Sequence, residues 1–289
     1  MARGKLYLVP VPIGNLKDIT YRAIEILKSV DLILAEDTRT SGLLLAEYGI
    51  KTPLLSYHQH NEQSRIEQIT TKLELGENVA LISDAGMPCI SDPGSIIVKS
   101  LIANNIEIVA LPGANAALTC LAASGLNTDY FTFFGFLSAK GVERSNQLEN
   151  IKNHEYTIIL YEAPHRILKT LKDLIEQGLG KRRIVVGREL TKKYETYLRD
   201  TVENAYHYYK QENPRGEFVL VMEGQTEYLS GNKQVQADFE AKAEQQATAD
   251  LEQLLIGGMK TKSAVSYLSD KYEINKNTLY QIALELKDK

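Results

Sequence analysis

Short, continuous apolar runs recur along the first three quarters of the chain, at residues 6–11, 32–35, 79–83, 106–111, 157–161, 184–187 and 218–222. Runs of this length without polar alternation predict strands covered on both faces, the pattern of a largely parallel sheet. Between them, apolar residues return every three or four positions at 19–30, 62–75, 95–103, 115–123, 164–177 and 202–211, which predicts helices. Strand and helix alternate, so the expected fold class is α/β.

The rhythm breaks at residues 127–140. The aromatic stretch from Tyr130 to Phe136 is strand-like, and no crossover helix is expected behind it. A second α/β set then begins. The expected organisation is an N-terminal α/β domain at 1–127 and a second α/β domain at 128–224. The other reading is one large sheet with an internal antiparallel hairpin. Residues 225–236 are polar, contain Gly231 and predict a linker. A C-terminal helical domain, 237–289, follows, with helices expected at 237–256, 261–272 and 276–286. The last two flank a tight turn, as in a helix-turn-helix. Lys260, Lys262, Lys271 and Lys276 would then touch nucleic acid. As a helical cap or dimerisation element, the same unit would leave them merely solvated.

The composition of the 289 residues is ordinary, 44% hydrophobic and 24% charged, which excludes disordered, collagenous and disulfide-scaffold classes. A net charge of −4 argues against coating nucleic acid by blanket electrostatics. Residues 138–200, however, carry 13 Lys and Arg against 9 Asp and Glu. Such a local basic surplus suits docking on a structured target. Cys89 and Cys120 have neither the number nor the spacing for a disulfide framework or a zinc site, and read as buried free thiols. No apolar run is long enough to span a membrane. The first residues lead into a strand with no apolar signal region, so a reducing cytoplasm is the expected compartment.

In open α/β sheets ligands bind beyond the carboxyl ends of the strands. Polar, Gly- and Pro-rich segments collect at those ends: residues 9–16, 36–40, 83–94, 112–116, 161–166 and 188–192. Their number predicts one large site shared between the domains. The dinucleotide fingerprint, the P-loop, the zinc-protease helix and the serine-hydrolase elbow are all missing. His58 and His60 lack a carboxylate to complete a metal set and read as a polar surface pair, so no metal is expected.

Taken in order, the segments Val-Pro-Val-Pro-Ile-Gly-Asn-Leu, Ala-Glu-Asp-Thr-Arg, Ile-Ser-Asp-Ala-Gly-Met-Pro-Cys-Ile-Ser-Asp-Pro-Gly, Leu-Pro-Gly-Ala-Asn-Ala, Tyr-Glu-Ala-Pro-His-Arg and Arg-Gly-Glu-Phe-Val resemble the type I small-subunit ribosomal RNA methyltransferases. That family lies within the tetrapyrrole-methylase superfamily. The resemblance covers about residues 5–224, and the C-terminal helices look like the family's extra helical domain. It departs at Asn115, where the wider superfamily more often has a hydroxyl residue.

The resemblance implies two α/β domains of the class III methyltransferase type plus a small C-terminal helical domain, with S-adenosylmethionine in the interdomain cleft and a homodimer. It implies methylation of the ribose 2′-oxygen of a decoding-region cytidine, with 16S ribosomal RNA of the small ribosomal subunit as partner. Carried over by motif, the cofactor-facing residues are Asp84, Ala85 and Gly86, then Pro112, Gly113, Ala114, Asn115 and Ala116, then Tyr161, Glu162 and Ala163. Pro12, Gly14 and Asn15 would lie nearer the RNA.

A ribose hydroxyl must lose its proton as it attacks, which calls for a base. Glu36, Asp37, Asp84, Glu162, His165 and Glu189 are the titratable groups in suitable loops. His165 has the ordinary pKa best suited to neutrality, although a helix-capping or phosphate-binding role is open to it. The expected catalytic set is His165, Glu162, Asp37 and Arg39, with an Asp37–Arg39 ion pair as the other reading of those two. Arg39, Arg166, Arg188 and Lys192 would contact RNA phosphates, or else be solvated surface charges. Two competing functions are a tetrapyrrole methyltransferase of the same superfamily and a non-catalytic RNA-binding module built on the C-terminal helices.

Overall fold

The computed structural model describes residues 2–287. They divide into a compact unit over 2–225 and a second beginning at Thr226. The first unit opens with β1 (Leu6–Leu8), α1 (Tyr21–Ser29), β2 (Leu32–Ala35), α2 (Thr38–Glu47), β3 (Leu54–Ser56), α3 (Glu62–Glu74), β4 (Val79–Ile82), α4 (Ser95–Ala103), β5 (Ile108–Ala110) and α5 (Ala116–Ser124). Its strands form a parallel sheet in the order β3-β2-β4-β1-β5. Burial on both faces explains the continuous apolar runs. Along β2, Leu32 and Leu34 enter the core on one face, while Ile33 and Ala35 enter it on the other. In β4, Val79 and Leu81 oppose Ala80 and Ile82 in the same way.

The second sheet is built from β6 (Phe131–Phe136), β7 (Thr157–Glu162), β8 (Arg183–Arg188), β9 (Thr196–Thr201) and β10 (Phe218–Met222), in the order β6-β7-β10-β8-β9. Between these strands lie α6 (Gly141–Lys152), α7 (Ile167–Glu176) and α8 (Val202–Gln211). The sheet is mixed rather than largely parallel. β10 runs antiparallel to both β7 and β8, and β8 pairs antiparallel with β9. The β8–β9 connection is too short for a crossover, which forces a hairpin. Residues 127–140 also differ from expectation. β6 is followed by a crossover helix, α6, and pairs parallel with β7. That helix escapes its sequence pattern because one of the three residues it buries is an arginine, Arg144, beside Leu148 and Ile151. α5 lays Ala117, Cys120 and Leu121 against Ile159, Val185, Val219 and Val221 of the second sheet.

Gln225–Gly231 forms α9, and α10 (Lys233–Ile256) begins within the segment expected to be a linker. Its Gln, Glu, Lys and Ala content is polar yet strongly helix-forming, so polarity alone misleads there. α10, α11 (Thr261–Tyr272) and α12 (Lys276–Lys287) share a core that includes Leu251, Val265, Leu268 and Leu279. Lys271 is not offered to a ligand. It pairs with Asp250 at 2.7 Å, and together with a hydrogen bond from Tyr272 it holds that carboxyl down at about 2. Lys276 donates to Ser266, whereas Lys260 and Lys262 are exposed.

A buried polar chain ties α6, α7 and β7 together. Arg144, with a side chain 5% exposed, pairs with Asp173 at 2.6 Å and donates to the Ser138 carbonyl and to Thr170 Oγ1. Thr170 in turn donates to Glu162 at 2.5 Å. Removing one member of such a network strands the others without water. Arg144→Ala is expected to lower unfolding stability by about 3–5 kcal/mol in urea titrations. A loss below about 1 kcal/mol, the worth of an exposed ion pair, would show that the network is solvated.

Candidate active site

The carboxyl-end loops of the first sheet face the second sheet across a cavity of about 360 Å³. One wall comes from the loop after β4. Gly86 forms an isolated antiparallel bridge with Val11, exchanging hydrogen bonds of 2.9 and 3.0 Å, so the β1 and β4 loops hold each other. At φ +74° Gly86 takes a left-handed conformation. A Cβ there would lie 3.2 Å from Ile13 Cγ2. Further along, Ser91 reaches the opposite sheet, where β6 bulges between Phe133 and Gly135. A Cβ on Gly135 would sit 3.1 Å from Ser91 Oγ.

The second wall is the start of α5. Asn115 caps that helix, accepting from Leu118 N at 3.0 Å, a task for which Asn serves as well as a hydroxyl residue. Gly113 lies close behind, and a Cβ there would meet Pro10 Cβ at 2.5 Å. The third wall is the β7–α7 turn. Tyr161 packs edge-on against Phe133 and Phe136 and accepts from Ala117 N at 3.3 Å. Ile13, Met87, Ile90, Leu190, Phe218 and Val219 make the remaining lining largely apolar.

Of the expected cofactor-facing residues, Ala85, Gly86, Asn115, Ala116, Tyr161, Glu162 and Ala163 line this cavity. Pro112, Gly113 and Ala114 do not, and Pro112 and Gly113 are exposed. Asp84 lies in an adjoining cavity of about 390 Å³ with Pro12, Gly14, Leu43 and Lys192. The two cavities share Ile13, Ala85 and Glu217. Asn15 is fastened across the cleft, its N–H donating to Thr191 Oγ1 at 3.1 Å.

The expected catalytic and RNA-contacting side chains are dispersed. His165 is exposed and outside both cavities. Glu162 is 2% exposed, with its carboxylate taken up by Thr170, Arg166 and Ala163 N. Arg166 therefore points inward, pairing with Glu162 at 3.2 Å and donating to the Leu137 carbonyl. Lys192 bridges Glu189 at 2.9 Å and Glu217 at 3.0 Å. Arg188 donates to the Arg215 carbonyl and lies 6.0 Å from the Phe218 ring centre. Asp37 and Arg39 form the ion pair at 2.8 Å, and the guanidinium hydrogen bond holds Asp37 down at about 2. The Arg39 side chain is still 89% exposed.

Two acids of the main cavity, Asp92 and Glu217, have no role assigned from the sequence. Asp92 lines the main cavity, and burial together with the charges of Glu36 and Asp84 pushes its carboxyl up to about 7. Burial and Asp84 also raise Glu36. Asp92 was visible in the Ser-Asp-Pro-Gly segment, but its neighbours come from other loops. Glu217 likewise sat in a quoted segment, Arg-Gly-Glu-Phe-Val, with no assignment. Among the described residues no group of three or more His, Cys, Asp or Glu could hold a metal ion, and no helix is long and apolar enough to cross a membrane.

Comparison with known proteins agrees with this architecture. The family described as Tetrapyrrole (Corrin/Porphyrin) Methylases matches residues 5–206. A ribosomal RNA small subunit methyltransferase I of Synechocystis is 45% identical over 98% of each chain. Its namesake in Bacillus subtilis is 46% identical over 96% of this chain and 93% of its own. Among solved structures, a cobalt precorrin-4 methyltransferase superposes with a TM-score of 0.59 at 20% identity, covering 76% of this chain and 94% of its own. A Thermus thermophilus uroporphyrin-III C-methyltransferase complexed with S-adenosyl homocysteine gives 0.54 at 17% identity, over 78% of this chain and 100% of its own. At these identities the structures speak to the fold. With the family matched over residues 5–206 and the relatives nearly end to end, the chain belongs to the tetrapyrrole methylases, in their ribosomal RNA small subunit methyltransferase I branch.

Proposed function

We propose that the protein transfers a methyl group from S-adenosylmethionine to the ribose 2′-oxygen of a decoding-region cytidine in 16S ribosomal RNA. The observation that carries this reading is near-full-length identity of about 45% to relatives named for methylation of small-subunit ribosomal RNA. Partners in this reading are the small ribosomal subunit and a second copy of the chain, and the compartment is the cytoplasm.

The main cavity fits the cofactor. Its volume is that of a small-molecule site, its lining is apolar and aromatic, and at the left-handed Gly86 the wall is backbone packed so closely that a Cβ would lie 3.2 Å from Ile13 Cγ2. Ala85, Gly86, Asn115, Ala116, Tyr161, Glu162 and Ala163 would hold it, and Pro112, Gly113, Ala114 and Asp84 would support or flank them. When bound, S-adenosylmethionine supplies an electrophilic methyl group on a sulfonium. The chain's own task is to fix the acceptor oxygen in line and exclude water, for which positioning alone is effective. The adjoining cavity, lined by Pro12 and Gly14 and sharing Ala85, suits the acceptor nucleotide. Glu162 acts here as a positioning residue for the β7–α7 turn, and Arg166 is its counterion. Arg39 remains the phosphate contact best placed by exposure, with Lys260 and Lys262 as further cations on the C-terminal unit.

Tritiated methyl transfer to small subunits lacking the modification tests the function. Label is expected in the RNA and should resist alkaline hydrolysis, since a 2′-O-methyl group blocks attack on the neighbouring phosphodiester. Absence of label, or label on a base, would sink the reading. Arg39→Ala is expected to weaken RNA methylation about tenfold, the worth of one charge-assisted hydrogen bond. Isothermal titration with S-adenosylmethionine should be unaffected, and lost cofactor binding would count against this division of roles.

A further inference from the structure

The cavity contains several groups that could accept a proton, and most are already committed. Glu162 accepts from Thr170, Ala163 N and Arg166. Glu217 is neutralised by Lys192. Tyr161 accepts from Ala117 N, and burial raises its pKa. Asn115 is not a base and caps α5. What is left is Asp92, half-buried on the cavity wall, which takes part in no hydrogen bond or ion pair among the described residues.

We propose that the Asp92 carboxylate takes the proton from the attacking ribose hydroxyl, an assignment that rests on the ribose methyltransferase reading above. As the oxygen attacks, its O–H bond breaks toward Asp92 and the new O–C bond forms. The electron pair of the breaking C–S bond stays on sulfur, leaving a neutral thioether. The sulfonium charge and the carboxylate charge are lost together, so the step balances.

The surroundings suit the role. Facing Asp92 are the carboxyls of Glu36 beyond β2 and Asp84 beyond β4, the Cys89 thiol on its own loop and the Tyr161 phenol from β7. His58 opposes Glu36 from beyond β3, partly offsetting its charge. No cation is paired with Asp92, and its pKa of about 7 lies near the operating pH, where a general base is most effective. The backbone fixes its approach. Ser91, the residue before it, has φ +62° and abuts the Gly135 bulge, while Gly94, at φ +130°, has no room for a Cβ, which would fall 2.6 Å from Cys89 Sγ.

Three measurements on the full-length protein decide the proposal. Asp92→Asn is expected to slow single-turnover methyl transfer to small subunits by about 10²–10⁴-fold. Any loss of affinity for S-adenosyl homocysteine by calorimetry should be far smaller than this loss of rate. The wild-type rate should rise through an acid limb near pH 7, and Glu36→Gln should move that limb to lower pH, a shift that a merely structural residue would not produce. Without cofactor or RNA, a carboxyl raised by folding favours the native state only while protonated. That contribution is full below pH ~4 and lost as the pH rises through about 7. Asp92→Asn should therefore gain stability over wild type at pH 8 relative to pH 4. Undiminished transfer by Asp92→Asn, or a stability difference independent of pH, overturns the proposal. Absence of transfer by the wild-type protein instead overturns the ribose reading, and the proposal with it.

Discussion

A carboxylate cut off from water must be bonded or neutralised, and Glu162 is both. It ends β7 at the point where the chain turns toward α7, and its partners come from that turn and from the helix. Through Thr170 the constraint passes to Arg144 and so to α6, the crossover helix that joins β6 to β7. The position of Tyr161 and Ala163, which form one wall of the cavity, follows from this arrangement. A polar network at such a corner fixes one geometry where apolar packing alone would tolerate several.

The opposite wall is held differently, by backbone. The β1 and β4 loops bond each other through Val11 and Gly86, and the β1 loop is pressed onto the loop after β8. The approach is close enough that a Cβ on Gly14 would fall 2.4 Å from Lys192 Cγ. Lys192, held by Glu189 and Glu217, thus serves as a brace between the two halves of the unit. Among the described residues, four of the six non-glycine positions with positive φ are Cys89, Ser91, Glu189 and Thr191, all in the loops after β4 and β8. Uncomfortable backbone concentrated where ligands are received is a usual companion of function.

The parts of the fold legible in the sequence are those buried on both sides: β1, β2, β4, β7, β8 and β10 all carry uninterrupted apolar runs. The edge strands β3 and β9 do not. Residues 54–56 are only partly buried, and Thr196–Thr201 is largely polar, so neither has a hydrophobic signature. α2 hides because it buries only Ser41 and Leu45. At the site, the loops themselves were readable from their Gly and Pro content, but the duties of individual charges were not. Arg166 and Lys192 look like surface cations until folding brings up their carboxylates, and Glu217 lies 25 residues from Lys192. Asp92 is the converse case, an ordinary loop acid whose character depends on Glu36 and Asp84 arriving from other strands.

The bulge at Gly135 bears on more than the fit of Ser91. β6 is an edge strand, and it carries Phe131 and Phe136 at 41% and 50% exposure. A regular strand with that decoration would be a template for adding another chain edge to edge. The register shift breaks the even spacing of its free backbone groups and twists the strand locally. The irregularity that lets a first-sheet loop touch the second sheet thus also keeps an apolar edge from growing into an aggregate.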